Sequence, residues 1–401
     1  MLTRACIAAA ALLLAACSGS AIPPAHPAAR TMGGASALPG GGASALPGGG
    51  ASALPGGGAS ALPGTDVLAC GTAVATGSAD CTVIINSAIA AILDPSTPAS
   101  LLPGLHPSDV QSSYALPSQN SGGTVAIVVA YDNPTAEADL AVYRAAYGLP
   151  ECTSLNGCFK KVNQQGDALS YPAPNTSWAV ESSLDVDMVS AACPHCKILL
   201  LEANSNSLDD LGAAVDTAAH EGAVAISNSY YAAEWADEAQ EDAHYRHPGV
   251  AITVAAGDAA QPFYPAASPY VTAIGGTTLS GSTGSWSESP WAYGGQGCSL
   301  YETKPDWQGN NYCQGKRAAV DVAAVADPQT GVSIYDSTAG GWLVAGGTSV
   351  GAPIVAAAYA LSENPQGPGY SYAHRSAFHD IAPGGYDWPT GLGSPNGVGG
   401  L

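Results

Sequence analysis

Between Gly122 and Gly276 the chain alternates short apolar runs with longer segments of helical period, and no other feature constrains the fold as much. "GTVAIVVAY" (123–131), "KILLLEA" (197–203), "AVAISNSY" (223–230), "GVAITVAAG" (249–257) and "PYVTAIGG" (269–276) are apolar on both faces, so each predicts a strand covered from both sides. "TAEADLAVYRAAYGL" (135–149), "SWAVESSLDVDMVSAAC" (177–193) and "SLDDLGAAVDTAAHEG" (207–222) predict helices between them. This pattern reads as α/β: a mainly parallel sheet with helices on both faces, forming one domain over 101–401. Sites in such sheets form at the carboxyl ends of strands, which singles out the loops after Ala203, Tyr230 and Gly257.

The first 64 residues cannot contribute to that core. Residues 1–16, "MLTRACIAAAALLLAA", read as a signal peptide too short to span a membrane stably. "LAAC", Leu14 to Cys17, resembles a bacterial lipobox, which would place a lipid anchor on Cys17. Export is expected either as a cell-surface or outer-membrane lipoprotein or by plain secretion. Residues 17–64 include four tandem copies of "GGASALPG" (33–64) and no acidic residue. Gly, Pro, Ala and Ser bury too little surface to offset ordering entropy, so this stretch is expected to be a disordered tether. Residues 65–100 form a short segment that reads as helical around "CTVIINSAIAAIL" (81–93).

The chain carries 32 acidic against 11 basic residues, a net charge of −21, and every acidic residue lies after Gly64. Such a surface excludes nucleic acid and anionic membrane as partners and fits an acidic working environment, where carboxylates neutralise and self-repulsion falls. Eight cysteines follow the leader as close neighbours, and an even count in an exported chain predicts disulfides: Cys70–Cys81, Cys152–Cys158, Cys193–Cys196 and Cys298–Cys313. The "CPHC" motif is read as one of these rather than as a zinc or redox site, having no second CxxC and no thioredoxin-like strand before it.

"VAGGTSVGAPIVAAAYAL" (344–361) sets Ser349 in a Gly-rich turn at the start of a small-residue helix, where backbone N–H groups favour negative charge. A serine needs a base. None of the eight histidines stands in an "HGT"-like turn opening a helix. Carboxylates are the replacement. Glu181 and Asp185 in "AVESSLDVDM" are i, i+4 and share a helix face, so they resist double ionisation and can hold one proton between them. The competing reading is a plain acidic face. Asp187 is close in sequence but points elsewhere. Asp258 follows Gly257 at a strand end and, if protonated, could donate a hydrogen bond to an oxyanion; its alternative is a self-capping turn.

Together these pieces resemble the sedolisin (serine-carboxyl peptidase) family, on "ESSLD", "AAGD", "YPAASPYVTAIGGTTL", "GGQGCSLYETKPDWQ", "ADPQTGVSIYD" and "GGTSVGAP", in that order across about residues 101–398. The resemblance implies a subtilisin-like fold and a Ser–Glu–Asp triad. Ser349 would be the nucleophile, Glu181 the base, Asp185 its orienter and Asp258 the oxyanion stabiliser. The expected activity is that of an exported, monomeric endopeptidase cutting protein or peptide substrates at acidic pH. It also implies a structural Ca²⁺ site, here on Asp380, Ile381, Gly385 and Asp387, although the loop between the two aspartates is short and Pro383 replaces a usual Gly.

The chain departs from the family in three further ways. Only residues 65–100 stand where relatives carry a long prodomain, so either the domain folds unaided or this segment is a vestigial pro-segment. Tyr231 stands where relatives often have Gly, and "GDAA" lacks the usual following Gly. The alternatives are a subtilisin-type enzyme using Asp132 as orienter, which lacks a histidine, and a non-catalytic cell-surface binding protein on a peptidase scaffold.

Overall fold

Each apolar run of the middle region becomes a strand and each periodic segment a helix. The computed structural model describes residues 66–70, 76–88, 93–309, 312–362, 365–382 and 384–401. The signal peptide, Cys17 and the tether lie outside them. In chain order the elements begin with β1 (Asp66–Leu68), β2 (Asp80–Cys81), β3 (Ile84–Asn86), α1 (Pro107–Ser113), β4 (Thr124–Ala130), α2 (Ala136–Ala146), β5 (Phe159–Asn163) and α3 (Thr176–Ala192). Then come β6 (Lys197–Ala203), α4 (Leu208–His220), β7 (Ala225–Asn228), β8 (Tyr230–Tyr231), β9 (Ala251–Ala255), β10 (Thr272–Ser282), β11 (Ser285–Pro290), β12 (Cys298–Thr303), β13 (Lys316–Ala318) and β14 (Val322–Val325). The chain closes with β15 (Val332–Asp336), β16 (Gly341–Gly346), α5 (Thr348–Leu361), α6 (Pro368–Ala373), β17 (Phe378–His379) and β18 (Ser394–Pro395).

The main sheet runs β11-β10-β9-β7-β4-β6-β5, with β14 alongside β10. All its pairings are parallel except β10 with β11. β7 and β9 are buried at every residue, and β4 and β6 at all but their first, the burial that parallel strands acquire when crossover helices cover both faces. α3 packs against α5 and against β4, while α4 covers β4 and β6. Among the described residues no helix is long and apolar enough to cross a membrane.

Two helices carry the site. α5 is buried along its whole length, as suits a helix that is apolar all round. α3 is buried from Trp178 onward, so Glu181 and Asp185 are not on a solvated acidic face. Asn175 fixes where α3 begins, its side-chain oxygen accepting from the Ser177 and Trp178 N–H groups at 3.0 and 3.2 Å, a cap worth about 1 kcal/mol.

All four expected disulfides are present: Cys70–Cys81, Cys152–Cys158, Cys193–Cys196 and Cys298–Cys313. The helix expected around 81–93 is corrected: Asp80–Cys81 and Ile84–Asn86 are strands, and 89–92 lie outside the described residues. β3 lies between β1 and β16 in an antiparallel sheet ordered β1-β3-β16-β15. The β-branched Val83-Ile84-Ile85 run suits extended backbone, and the edge of β16 supplies the pairing that a helix would have forgone.

Candidate active site

Ser349 enters through the turn that ends β16. Gly347 caps α5 at φ 98°, the left-handed region, and a Cβ there would collide with the Thr82 carbonyl oxygen and stand 2.7 Å from Asp258 Oδ2. Ser349 is the second helical residue, so its own N–H belongs to the first turn, which has no intrahelical acceptor. Four residues on, Pro353 has no N–H to give to the Ser349 carbonyl. The Ser229 hydroxyl faces that carbonyl instead, at 3.5 Å.

Glu181 and Asp185 stand one turn apart on α3 and are both fully buried, as is Ser349. The Ser349 hydroxyl lies close enough to the Glu181 carboxyl to lower its pKa. Asp185 Oδ1 accepts from the Ser229 hydroxyl at 2.7 Å, which places Asp185 beside the backbone of the serine turn. Glu181 Oε1 and Asp185 Oδ2 are buried with no hydrogen-bond partner. Burial pushes Glu181 well above the usual carboxylate range, and the neighbouring Asp185 charge pushes it further, against the nearby Ser349 hydroxyl and the Thr82 N–H. Burial raises Asp185 likewise. Two such carboxyls, with no cation among the causes of either shift, resist being ionised together.

Asp258 reaches the same turn from the end of β9. Gly257, at φ 94°, has no room for a Cβ because the Phe263 ring stands 2.4 Å from where one would lie. Asp258 Oδ1 accepts from the Thr348 N–H at 2.8 Å and the Thr348 hydroxyl at 2.9 Å. Thr348 Oγ1 in turn accepts from the Gly257 N–H at 3.0 Å. Oδ2 is left out of solvent and unpartnered, facing Gly347. Burial raises the Asp258 pKa to about 7 against the two Thr348 bonds.

The other candidates go elsewhere. Asp132 forms an ion pair with Lys161. Asp187 Oδ2 accepts the Tyr335 N–H at 2.9 Å. His244 and His247 share Asp216, at 2.7 and 3.0 Å. At the C-terminus, Asp380 Oδ2 accepts from the Gly385 N–H at 3.1 Å and Asp387 Oδ1 from the Thr390 N–H at 2.8 Å. The Asp380 charge adds to the burial that raises the Asp387 pKa, so the two carboxylates lie close enough to repel. Ile381 lies between them half-buried, and Gly385 is exposed. No group of three His, Cys, Asp or Glu among the described residues is poised to hold a metal. Two aspartates supplemented by backbone carbonyls are nonetheless the hard-oxygen donor set that Ca²⁺ prefers.

Two residues of the site escape a reading of the sequence. Ser229 lies one residue short of a strand end already singled out, and its hydroxyl is ordinary in sequence. Thr82 is the larger surprise: its N–H donates to Glu181 Oε2 at 2.9 Å and its hydroxyl makes a short contact with that of Ser349. No local pattern marks it, because its partners are 99 and 267 residues away.

No protein-family profile matches the sequence. Kumamolisin of Bacillus sp. (strain MN-32) is 30% identical over 354 residues, covering 73% of this chain and 62% of kumamolisin. Sedolisin of Pseudomonas sp. (strain 101) is 34% identical over 168 residues, covering 33% of this chain and 28% of sedolisin. The chain therefore spans less than two thirds of the length of these curated relatives. The solved structure of Pseudomonas sedolisin, a serine-carboxyl proteinase complexed with two molecules of pseudo-iodotyrostatin, superimposes with a TM-score of 0.62 at 24% identity, covering 74% of this chain and 96% of that one. The sheet, its covering helices and the structural likeness agree on a subtilisin-like fold, and the sequence likeness to kumamolisin and sedolisin supports the sedolisin family for this chain.

Proposed function

We propose that the chain is an exported serine-carboxyl endopeptidase that hydrolyses protein or peptide substrates under acidic conditions. One observation carries the reading: Ser349 stands beside Glu181, which is buried next to Asp185 without a histidine or a cation among the groups that shift it. An imidazole base would be protonated in acid, whereas a carboxyl pair holding one proton still offers an ionised oxygen.

In this reading Ser349 Oγ attacks the substrate carbonyl carbon and passes its proton to Glu181. The tetrahedral oxyanion is met by the Ser349 N–H and by protonated Asp258, whose free Oδ2 faces the serine turn. Glu181 then protonates the leaving amine as the C–N bond breaks. Water, activated by Glu181, hydrolyses the acyl-serine. Asp185 keeps the shared proton and orients Glu181, and Ser229 holds Asp185. Asp380 and Asp387, with the Ile381 and Gly385 carbonyls, would hold Ca²⁺, whose contribution is to brace the C-terminal loop. Residues 1–16 and Cys17 make export with lipid anchoring the preferred location, with secretion as the alternative.

The test is casein digestion from pH 3 to 8 by the chain, by Ser349→Ala and by Glu181→Gln. Activity confined to acid and abolished by both substitutions supports the reading. No digestion at any pH by the parent chain, with the cleft shown to be open, would return the protein to a binding role.

A further inference from the structure

Residues 80–86 run past the serine turn between two strand edges. β2 pairs antiparallel with β8, Cys81 opposite Tyr230 and Asp80 opposite Tyr231. After two intervening residues β3 pairs antiparallel with β16, Ile84 opposite Gly346 and Ile85 opposite Ala345. Between these two edges Thr82 and Val83 cross the serine turn, at 1% and 0% exposure. The Thr82 carbonyl oxygen and Asp258 Oδ2 crowd the same side of Gly347. The Thr82 N–H is on Glu181, and its hydroxyl is on that of Ser349. An extended peptide that augments one strand edge before the nucleophile and another after it, with a carbonyl at the oxyanion stabiliser, lies as a substrate would.

The same segment is held as a substrate is not. β1 folds back onto β3, Val67 opposite Ile85, and the Ala69 N–H donates to the Val83 carbonyl at 3.1 Å. Cys70, beside β1, is bonded to Cys81. The Asn86 side chain donates to the Pro328 carbonyl at 3.0 Å, and Ile84 packs with Trp291 and Ala326. A cut between Thr82 and Val83 would leave one end tied through the disulfide and β1 and the other through β16, so neither could leave and an incoming peptide would compete with a tethered one.

We propose that residues 66–70 and 76–86 form a built-in pseudosubstrate, a peptide that pairs with strand edges on both sides of Ser349 and is clamped there by the Cys70–Cys81 disulfide, so that the oxidised chain is latent until this segment is released. This rests on the peptidase reading above.

The experiment compares the full oxidised chain with the Cys70→Ser/Cys81→Ser chain and with Ile84→Asp, which places a charge in the clamp's apolar contact. Two readouts are taken at acidic pH: hydrolysis of an internally quenched peptide, and hydrogen exchange of the amides of residues 80–86. The expected result is slow exchange and little hydrolysis in the oxidised chain, with faster exchange and roughly tenfold or greater kcat/KM in the released chains, since the competent fraction rises. Fast exchange at 80–86 in the oxidised chain, or equal kcat/KM in all three, overturns the pseudosubstrate while leaving the peptidase reading intact. Slow exchange in the oxidised chain and fast exchange in the released chains, with none hydrolysing the peptide, keeps the loop as the occupant of the cleft and removes the peptidase reading instead.

Discussion

Two of the carboxyl clusters among the described residues are handled in opposite ways. Asp132 and Glu202 face Lys161, whose ammonium bonds Asp132 and stands 3.3 Å from Glu202 Oε1. Lys161 also donates to the Asn133 carbonyl at 2.9 Å, and the Asn133 N–H binds Glu202 Oε1 at 2.7 Å. Burial still raises Glu202 to about 8, but the Lys161 charge opposes it. At Glu181 and Asp185 no cation opposes burial, and the compensation must come from protons. Buried acid alone therefore does not mark a reactive site. What separates the two is a nucleophile at a helix N-terminus and a charge balance that only proton exchange can supply.

The comparison can be broken most forcefully at the proton-handling group. Ser349→Ala or Glu181→Gln should lower kcat by ~10⁴-fold or more, because the two act as a unit; a peptide-hydrolysis assay on loop-released chains reads it. Asp258 gives a smaller and more telling effect. As a hydrogen-bond donor it must be protonated, so activity should fall as pH rises through about 7. Asp258→Asn keeps a donor that does not titrate and should lose that alkaline limb, whereas Asp258→Ala should cost roughly 10²–10³ in kcat. If the limb stays at the same pH in Asp258→Asn, another group sets it.

The charge-paired group should respond in stability rather than in rate. Lys161→Met leaves Glu202 buried against Asp132 without its cation and should destabilise the fold by about 3 kcal/mol, measured by urea unfolding at pH 9, above the Glu202 pKa of about 8, with the shape of the pH–rate profile unchanged. The smallest expected effect is at the C-terminal loop. Adding millimolar Ca²⁺ should raise Tm by a few degrees, as for a ligand that binds only the folded state, and Asp387→Asn should abolish the rise; identical Tm values with Ca²⁺ and with EDTA would remove the ion from the account.

The parts of this picture that local pattern controls were legible in the sequence. Strand Lys197–Ala203 has the bounds its apolar run predicts, and Glu181 with Asp185 could be paired from their spacing alone, since i, i+4 on a helix fixes a shared face. Neighbouring cysteines found each other as expected because short loops leave few rivals. The N-terminal segment was misread, because Ile84 and Ile85 take their conformation from β16, some 260 residues away, and Ala/Ile-rich sequence does not record such a partner. The depth of α3 was equally hidden. Its acidic residues look solvated by composition, and only the packing of α5 across them shows that they are not.

The central claim is that a carboxylate, not an imidazole, takes the proton from Ser349. It is tested most directly by the pH dependence of kcat/KM from pH 3 to 8, with and without reductant to release the Cys70–Cys81 loop, for the chain and for Glu181→Gln. The account predicts a maximum in the acidic range that Glu181→Gln abolishes at every pH. A maximum near neutrality that survives Glu181→Gln would contradict it.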